Sequence, residues 1–373
     1  MKAEFDVAVV GGSLAGSAAA SALARAGARV VVFEKARFPR PKICGSFLSS
    51  EALPVLERMG AREELQGERP ETIARFALVT ARGRRVESEL PAPVLSLSRA
   101  RLDSLAAAAA GRQGASLRFG TAVNSFEGNL PGGFRLKSGG AELSARVLIG
   151  AWGRYSPLDG RLFRPFFRKA PSLIGFGTPL DGDGSRFAGC AVLHLFEGGY
   201  LGLSLVEGGR VNLAALATPR LAAEAHHDFD ELLARLKRAS PSLAADLEGL
   251  SPEPGPVLVS EPVHLGRRDS VAGDVLLAGD AAGVVDPYTG TGMALALRTG
   301  EAAAGPVLDF LGGRLDAGRL RRRHDEVHRS ILGRRFFYAR LFRSVFYGGV
   351  LSRAVGVPGA ALLARWAVRV TRT

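Results

Sequence analysis

One short stretch near the start of the chain constrains the fold more than any other. Asp6-Val7-Ala8-Val9-Val10 is apolar after its first residue and rich in valine, the pattern of a strand buried on both faces. Gly11 and Gly12 follow, then Ser13-Leu14-Ala15-Gly16. An alanine-rich run then predicts a helix from about Ser17 to Ala26, closed by Gly27. A second run, Arg29 to Phe33, ends in Glu34. Strand, glycine turn, helix and strand within about 30 residues specify a parallel βαβ unit. The first glycine permits a tight turn, the second admits a pyrophosphate, and the third packs helix on strand. The free N–H groups and dipole of the helix then face the phosphates. Ser13 stands at the middle glycine position, small enough to fit but with a looser approach. Glu34 can accept hydrogen bonds from ribose hydroxyls, although a glycine-rich turn with no ligand would build the same strands.

A second block lies nearly 270 residues downstream. Asp274-Val275-Leu276-Leu277-Ala278-Gly279-Asp280-Ala281-Ala282-Gly283 repeats the pattern of buried strand and glycine. It leads into Asp286-Pro287-Tyr288-Thr289-Gly290-Thr291-Gly292-Met293 and a helix from about Ala294 to Ala304. A strand ending in Gly-Asp offers a carboxylate for polyol hydroxyls. The next helix start offers N–H groups for a partly anionic ring oxygen.

Together the two blocks resemble the FAD-dependent monooxygenase superfamily. This is the p-hydroxybenzoate-hydroxylase-like fold, which also contains geranylgeranyl reductases and flavin-dependent halogenases. The resemblance spans about residues 5–310 and implies an α/β architecture. A Rossmann-like FAD-binding domain (1–75, 99–156 and 263–312) would carry an inserted antiparallel-sheet substrate domain (76–98 and 157–262) and a C-terminal helical tail (313–373). The resemblance implies FAD contacts from Gly11, Ser13, Ala15 and Gly16, with Glu34 at the ribose and Lys35 beside it. It implies others from Arg99 in Arg99-Ala100-Arg101-Leu102-Asp103, from Val123 at the adenine, and from Gly279 and Asp280 near the ribityl and pyrophosphate. Pro287, Gly290, Gly292 and Met293 match the turn at the flavin pyrimidine edge. Pro41-Lys42-Ile43-Cys44-Gly45 resembles the Lys-x-Cys-Gly segment of the reductase-like branch, which places Lys42, Cys44 and Gly45 near the isoalloxazine. Read without the resemblance, Arg99 is equally a solvated helix-start arginine, Lys42 a surface charge and Cys44 an inert buried thiol.

The pattern breaks in two places. Where the family has Gly-Ala-Asp-Gly, this chain has Gly150-Ala151-Trp152-Gly153. An indole cannot reproduce a carboxylate's hydrogen bonds, which puts reduction by NADH or NADPH in question. It can stack on a ring or close a pocket. The geranylgeranyl reductase segment Gly-Tyr-x-Trp-x-Phe-Pro survives only as Gly199-Tyr200. Trp152 and Trp366 are the only tryptophans, which argues against a tryptophan-halogenase motif.

Between Pro157 and Pro262 the periods change. Cys190–Phe196, Tyr200–Val206 and Arg210–Ala217 predict an antiparallel meander, followed by a polar helix from about Asp228 to Ala239. One sheet face should meet the FAD domain or a hydrophobic substrate. His194 is the one ionisable residue well inside these strands. It is a candidate base or substrate ligand, or a satisfied core histidine. Cys44, His194 and Trp152 are the weak catalytic candidates. No His/Cys cluster has metal spacing, and no Gly-x-Ser-x-Gly elbow appears.

Charge separates the body from the tail. Of the formal net +13, residues 313–373 hold +11, with 14 arginines against Asp316, Asp325 and Glu326. Phe337, Leu341 and Val345, with Tyr338, Phe342 and Phe346, fall on one helical stripe. The segment 355–370 is apolar but interrupted by Pro358, Arg365 and Arg369. Such a tail suits an anionic membrane surface or an acidic partner, or packs on the body with solvated arginines. No nucleic-acid motif accompanies it. Two cysteines, an acidic N-terminal segment and the lack of an uncharged apolar run of about 18 residues predict a cytoplasmic protein, with membrane association through the tail as the variant.

The leading expectation is therefore an FAD-dependent oxidoreductase that hydroxylates or oxidises a hydrophobic or aromatic small molecule, such as a polyketide-like secondary metabolite, through a flavin hydroperoxide. The alternatives are a prenyl or lipid double-bond reductase of the geranylgeranyl reductase type, and a flavin-containing docking protein acting through its basic tail.

Overall fold

The computed structural model describes residues 3–347, without the side chains of residues 261, 262, 334 and 340–347. In chain order the elements used below are β1 (Phe5–Val10), α1 (Leu14–Arg25), β2 (Val30–Glu34), β3 (Glu71–Val79), β4 (Arg85–Ser96), α2 (Arg99–Arg112), β5 (Ser116–Phe119) and β6 (Ala141–Gly150). They continue with β7 (Leu173–Asp181), β8 (Cys190–Phe196), β9 (Gly199–Leu205), β10 (Val211–Ala217), α3 (Phe229–Ala239), β11 (Val275–Leu277), α4 (Gly292–Ala302) and α5 (Ala317–Tyr347).

The first sheet has the parallel order β11-β6-β1-β2-β5. Val9 pairs with Val32 on one side and Ile149 on the other. Val7, Ala8 and Val9 are fully buried, because a central parallel strand is covered on both faces. Helix α1 starts at Leu14, earlier than the predicted Ser17, since the Ser17 amide already donates to the Ser13 carbonyl at 2.8 Å. Gly27 adopts φ +88° and closes the helix.

The second sheet has nine strands and contains the predicted meander: β8, β9 and β10 pair antiparallel in sequence. The sheet is mixed rather than wholly antiparallel, because β8 pairs parallel with β3. The sheet also takes in Phe47–Leu48 and all of β3, so pairing begins at Glu71, ahead of residue 76. One face carries Val192, Leu201, Leu203 and Leu213 and is covered by Phe229, Leu232 and Leu236 of α3. The opposite face carries Leu193, Leu195, Tyr200 and Leu216, and meets Tyr288 from the first unit.

Helix α5 lies along the first sheet. His324 Nε2 sits 3.1 Å from the Leu277 carbonyl, and Ser270 Oγ donates to Asp325 at 2.8 Å. Phe337 is exposed, Tyr338 is half-buried, and Ala339 O accepts from Tyr288 Oη at 2.7 Å. The predicted stripe beyond residue 339 and the segment 348–373 lie outside the described side chains and residues. Among the described residues, no helix is long and apolar enough to cross a membrane.

Candidate functional site

The first glycine turn is built by close approach. A Cβ on Gly16 would stand 1.8 Å from the Gly11 carbonyl oxygen, and one on Gly11, whose φ is +105°, would stand 2.3 Å from that of Ala151. No other residue type fits either position. Glu34 is buried at the end of β2. Its carboxylate accepts from the Gly12 amide at 2.9 Å and the Ala36 amide at 3.0 Å, which holds the turn against the strand end. Val123 is buried nearby, in a loop anchored by the Thr121 amide on the Glu34 carbonyl, while Lys35 is exposed.

The second turn docks on the first. Gly279 adopts φ +62°, gives its amide to Thr299 Oγ1 at 3.0 Å, and faces the Ala15 side chain. A Cβ on Gly300 would stand 2.0 Å from the Ala15 carbonyl, so α1 and α4 cross at backbone contact. Gly290 turns the chain with φ +64° into Gly292 and the buried Met293, the first residues of α4. Pro287 is exposed. Neither α1 nor α4 has a side-chain cap, so both helix starts present backbone N–H groups to a ligand.

Charged side chains gather beside these turns. Arg99 donates to Asp103 Oδ1 at 2.9 Å and to Ser13 Oγ at 2.9 Å. Lys42 donates to Asp103 Oδ2 at 2.7 Å. Burial alone would raise the Asp103 carboxyl, but Arg99 and Lys42 override it and hold it below its ordinary value. Arg99 is likewise held above its ordinary value, Asp103 outweighing the cost of burial. The other cations fare differently. Burial pushes Lys42 down despite Asp103, and pushes Arg154 down despite Asp280. Arg268, buried and near Arg164, is pushed down to about 10. Its guanidinium centre stands 3.6 Å from the Phe166 ring centroid, and it donates to the carbonyls of Arg154 (2.7 Å) and Asp280 (3.3 Å).

Lys42, Arg99, Arg154 and Arg268, with Arg40 and Arg164 next to them, thus gather around Asp103, Asp159 and Asp280, six cations against three acids. Three of these cations, Lys42, Arg154 and Arg268, are disfavoured where they stand. A bound diphosphate would relieve that imbalance, and two uncapped helix starts point the same way. The residues present fit FAD.

The remaining candidates divide. Cys44 and Gly45 belong to the segment that crosses the second sheet: the Cys44 carbonyl accepts from Asn212 Nδ2 at 2.9 Å, and Ile43 fills the space left by Gly175 and Gly177. Cys44 is half-buried near Arg99 and Arg154. Trp152 packs on Gly150 and Leu277, and its indole N–H donates to Asp159 Oδ1 at 3.2 Å. The buried Asp159 also accepts from Arg164 at 2.8 Å, and Arg164 binds the Ala281 carbonyl at 2.7 Å. The indole is therefore part of a strut under the second turn. His194 lies elsewhere. Its side chain points to the helix-covered face of the second sheet, where Nε2 stands 2.9 Å from Asp246 Oδ2. It is apart from both glycine turns and has no place in the cradle. Among the described residues no metal-binding group occurs.

Sequence reasoning passed over Asp103, Arg154, Arg268 and the Asp159–Arg164 pair as site residues. Asp103 carried a signal: an acid four residues after Arg99, inside an otherwise alanine-rich helix face, has an i,i+4 partner and nowhere polar to go. Arg268 carried none, because only the fold brings it to the Asp280 turn.

Comparison with known proteins agrees with this geometry. The FAD binding domain family matches residues 4–168. A menaquinone reductase of Mycolicibacterium smegmatis is 31% identical over 82% of this chain and 76% of its own length. Digeranylgeranylglycerophospholipid reductase 2 of Methanopyrus kandleri is 28% identical over 92% of this chain and 87% of its own. Among solved structures, a myxobacterial chondrochloren halogenase superposes with a TM-score of 0.77 at 22% identity, over 92% of this chain and 82% of its own. The last is a likeness of fold alone. The fold, the paired turns and these relatives establish that the chain belongs to the FAD-binding domain family and is an FAD-dependent oxidoreductase.

Proposed function

We infer that this enzyme reduces a carbon–carbon double bond in a prenyl chain carried by a quinone or lipid. The observation that carries the reading is the face of the second sheet opposite α3. Leu78, Leu193, Leu195, Tyr200 and Leu216 make it an apolar wall that meets Tyr288, next to the turn leading into α4. Such a wall suits a hydrocarbon chain. The similarity to a menaquinone reductase and to digeranylgeranylglycerophospholipid reductases supports the same reading. Hydroxylation of an aromatic metabolite, the leading expectation from sequence, has less support: a probable FAD-dependent monooxygenase of Pseudomonas aeruginosa shares the fold at 21% identity.

When bound and reduced, FAD supplies a hydride equivalent. The protein's part is orientation and electrostatics. Arg99 and Arg154 would hold the diphosphate end, Glu34 the ribose, and the N–H groups of Gly292 and Met293 the ring edge, with Lys42 held on Asp103 between diphosphate and ring. The apolar wall would exclude water and align the chain. Trp152, braced on Asp159, keeps the second turn in place. NADH or NADPH as the electron source is part of the proposal, to be read by anaerobic titration of the flavin absorbance.

The test is product analysis of the reduced holoenzyme with a menaquinone and with a geranylgeranyl phospholipid under nitrogen. Gain of one hydrogen molecule per turnover without oxygen is the expected result. A product that forms only in air and carries an added oxygen atom would refute the reductase.

A further inference from the structure

Residues 153–172 contain five cationic side chains, Arg154, Arg161, Arg164, Arg168 and Lys169, against one acid, Asp159. Asp159 is buried and engaged by Trp152, Arg164 and the Ser156 amide. Arg164 is buried with it, and Arg154 lies near Asp280. Arg161, Arg168 and Lys169 remain exposed, with no acidic partner among the described residues.

Between these cations stands Phe163, 81% exposed, the most exposed large apolar side chain described. Its backbone has φ +51°, a left-handed conformation that disfavours a bulky side chain. Tyr155, also exposed, stacks on Phe167 with centroids 4.9 Å apart. The loop is rigid beneath its tip. Ser156 and Asp159 form a capping box, and Arg164 ties the segment to the Ala281 and Asp269 carbonyls. The chain thus holds a strained phenylalanine in water, in a segment whose exposed charges are all positive.

We propose that this loop docks on an anionic phospholipid bilayer, with Phe163 entering the boundary between headgroups and acyl chains and Arg161, Arg168 and Lys169 at the level of the phosphates. A single aromatic projection suits a bilayer, which accepts it at any lateral position. A folded partner would need a pocket shaped for it. The unpaired cations match the negative leaflet surface. Arg164 binds the Asp269 carbonyl, and the neighbouring Ser270 and Arg267 contact Asp325 of helix α5, which links the loop to the arginine-rich tail.

The test is co-sedimentation of the full-length holoprotein with phosphatidylglycerol-containing vesicles and with pure phosphatidylcholine vesicles. Wild type should bind the former at least tenfold more tightly, with binding weakened by added salt. Phe163→Gly should weaken vesicle binding by about tenfold, while the thermal midpoint is kept or raised because glycine tolerates the positive φ. The double substitution Arg168→Gln/Lys169→Gln should weaken binding by roughly 30-fold. Wild type that shows no preference for the anionic vesicles overturns the proposal. So does Phe163→Gly that binds as wild type does, since the tail alone would then carry the contact. The readout involves no turnover, so its failure leaves the reductase reading standing, and an inactive reductase leaves the docking reading standing.

Discussion

Asp103 offers the sharpest test of how the cofactor cradle is held together. Its side chain is fully buried and carries both Lys42 and Arg99, whose side chains are only 19% and 16% exposed. Asp103→Asn removes the charge with little change of shape, leaving two cations face to face in a poorly solvated place. Breaking a buried ion cluster from one side costs about 3–5 kcal/mol. The loss should appear in full in the apoprotein, and in part when FAD is bound, because the diphosphate restores some negative charge. Urea unfolding followed by tryptophan fluorescence, with and without FAD, measures both. The pH dependence has a definite sign. The folded carboxyl lies below its ordinary value of 3.8. Its stabilisation is therefore complete above the unfolded value and lost as pH falls through the folded one. Wild type should weaken in that acid window more steeply than Asp103→Asn. An Asp103→Asn apoprotein that unfolds within about 1 kcal/mol of wild type would refute the reasoning, because the cluster would then contribute little more than a surface pair.

Three further outcomes follow from the same structure. Gly300→Ala places a methyl group against the Ala15 carbonyl and should force α1 from α4, weakening FAD retention by about tenfold or more on gel filtration, since overpacking costs roughly 1–3 kcal/mol. His328 is buried and its pKa is pushed by that burial from 6.5 to about 4. The unfolded chain takes up this proton first, so stability is full above 6.5 and declines toward 4, by roughly 3 kcal/mol; His328→Phe should reduce that decline in the urea-stability profile, the remainder belonging to His324, which burial also holds below its ordinary value. Trp152→Phe removes one of several donors to Asp159 and should cost about 1–2 kcal/mol of stability, a loss above about 4 kcal/mol showing that the ring rather than its N–H braces the turn.

Legibility from sequence followed the range of the interaction. The unit β1-α1-β2 could be read because valine runs, glycines and Glu34 are all local signals. The meander β8-β9-β10 was equally local, with Gly198-Gly199 and Gly208-Gly209 marking its turns. The parallel pairing of β8 with β3 could not be read, since Cys190 meets Arg75 across more than a hundred intervening residues. His194 stands out in sequence only as an ionisable residue in an apolar strand, a weak candidate beside the reading as a satisfied core histidine. Which face it took depended on α3 and Asp246, and they turned it away from the cradle. Trp152 read as a missing acid, whereas the structure supplies Asp159 as its partner seven residues later.

The backbone contact between Ala15 and Gly300 bears on synthesis. Strand β1 pairs with β2 at once, but its other edge waits for β6, and the Ala15 side of α1 waits for α4. A nascent chain of this design exposes an unfinished parallel sheet for most of its translation, when edge pairing with other chains competes best. The two halves of the cofactor cradle therefore meet only through a long-range closure, the kind of contact that slows folding.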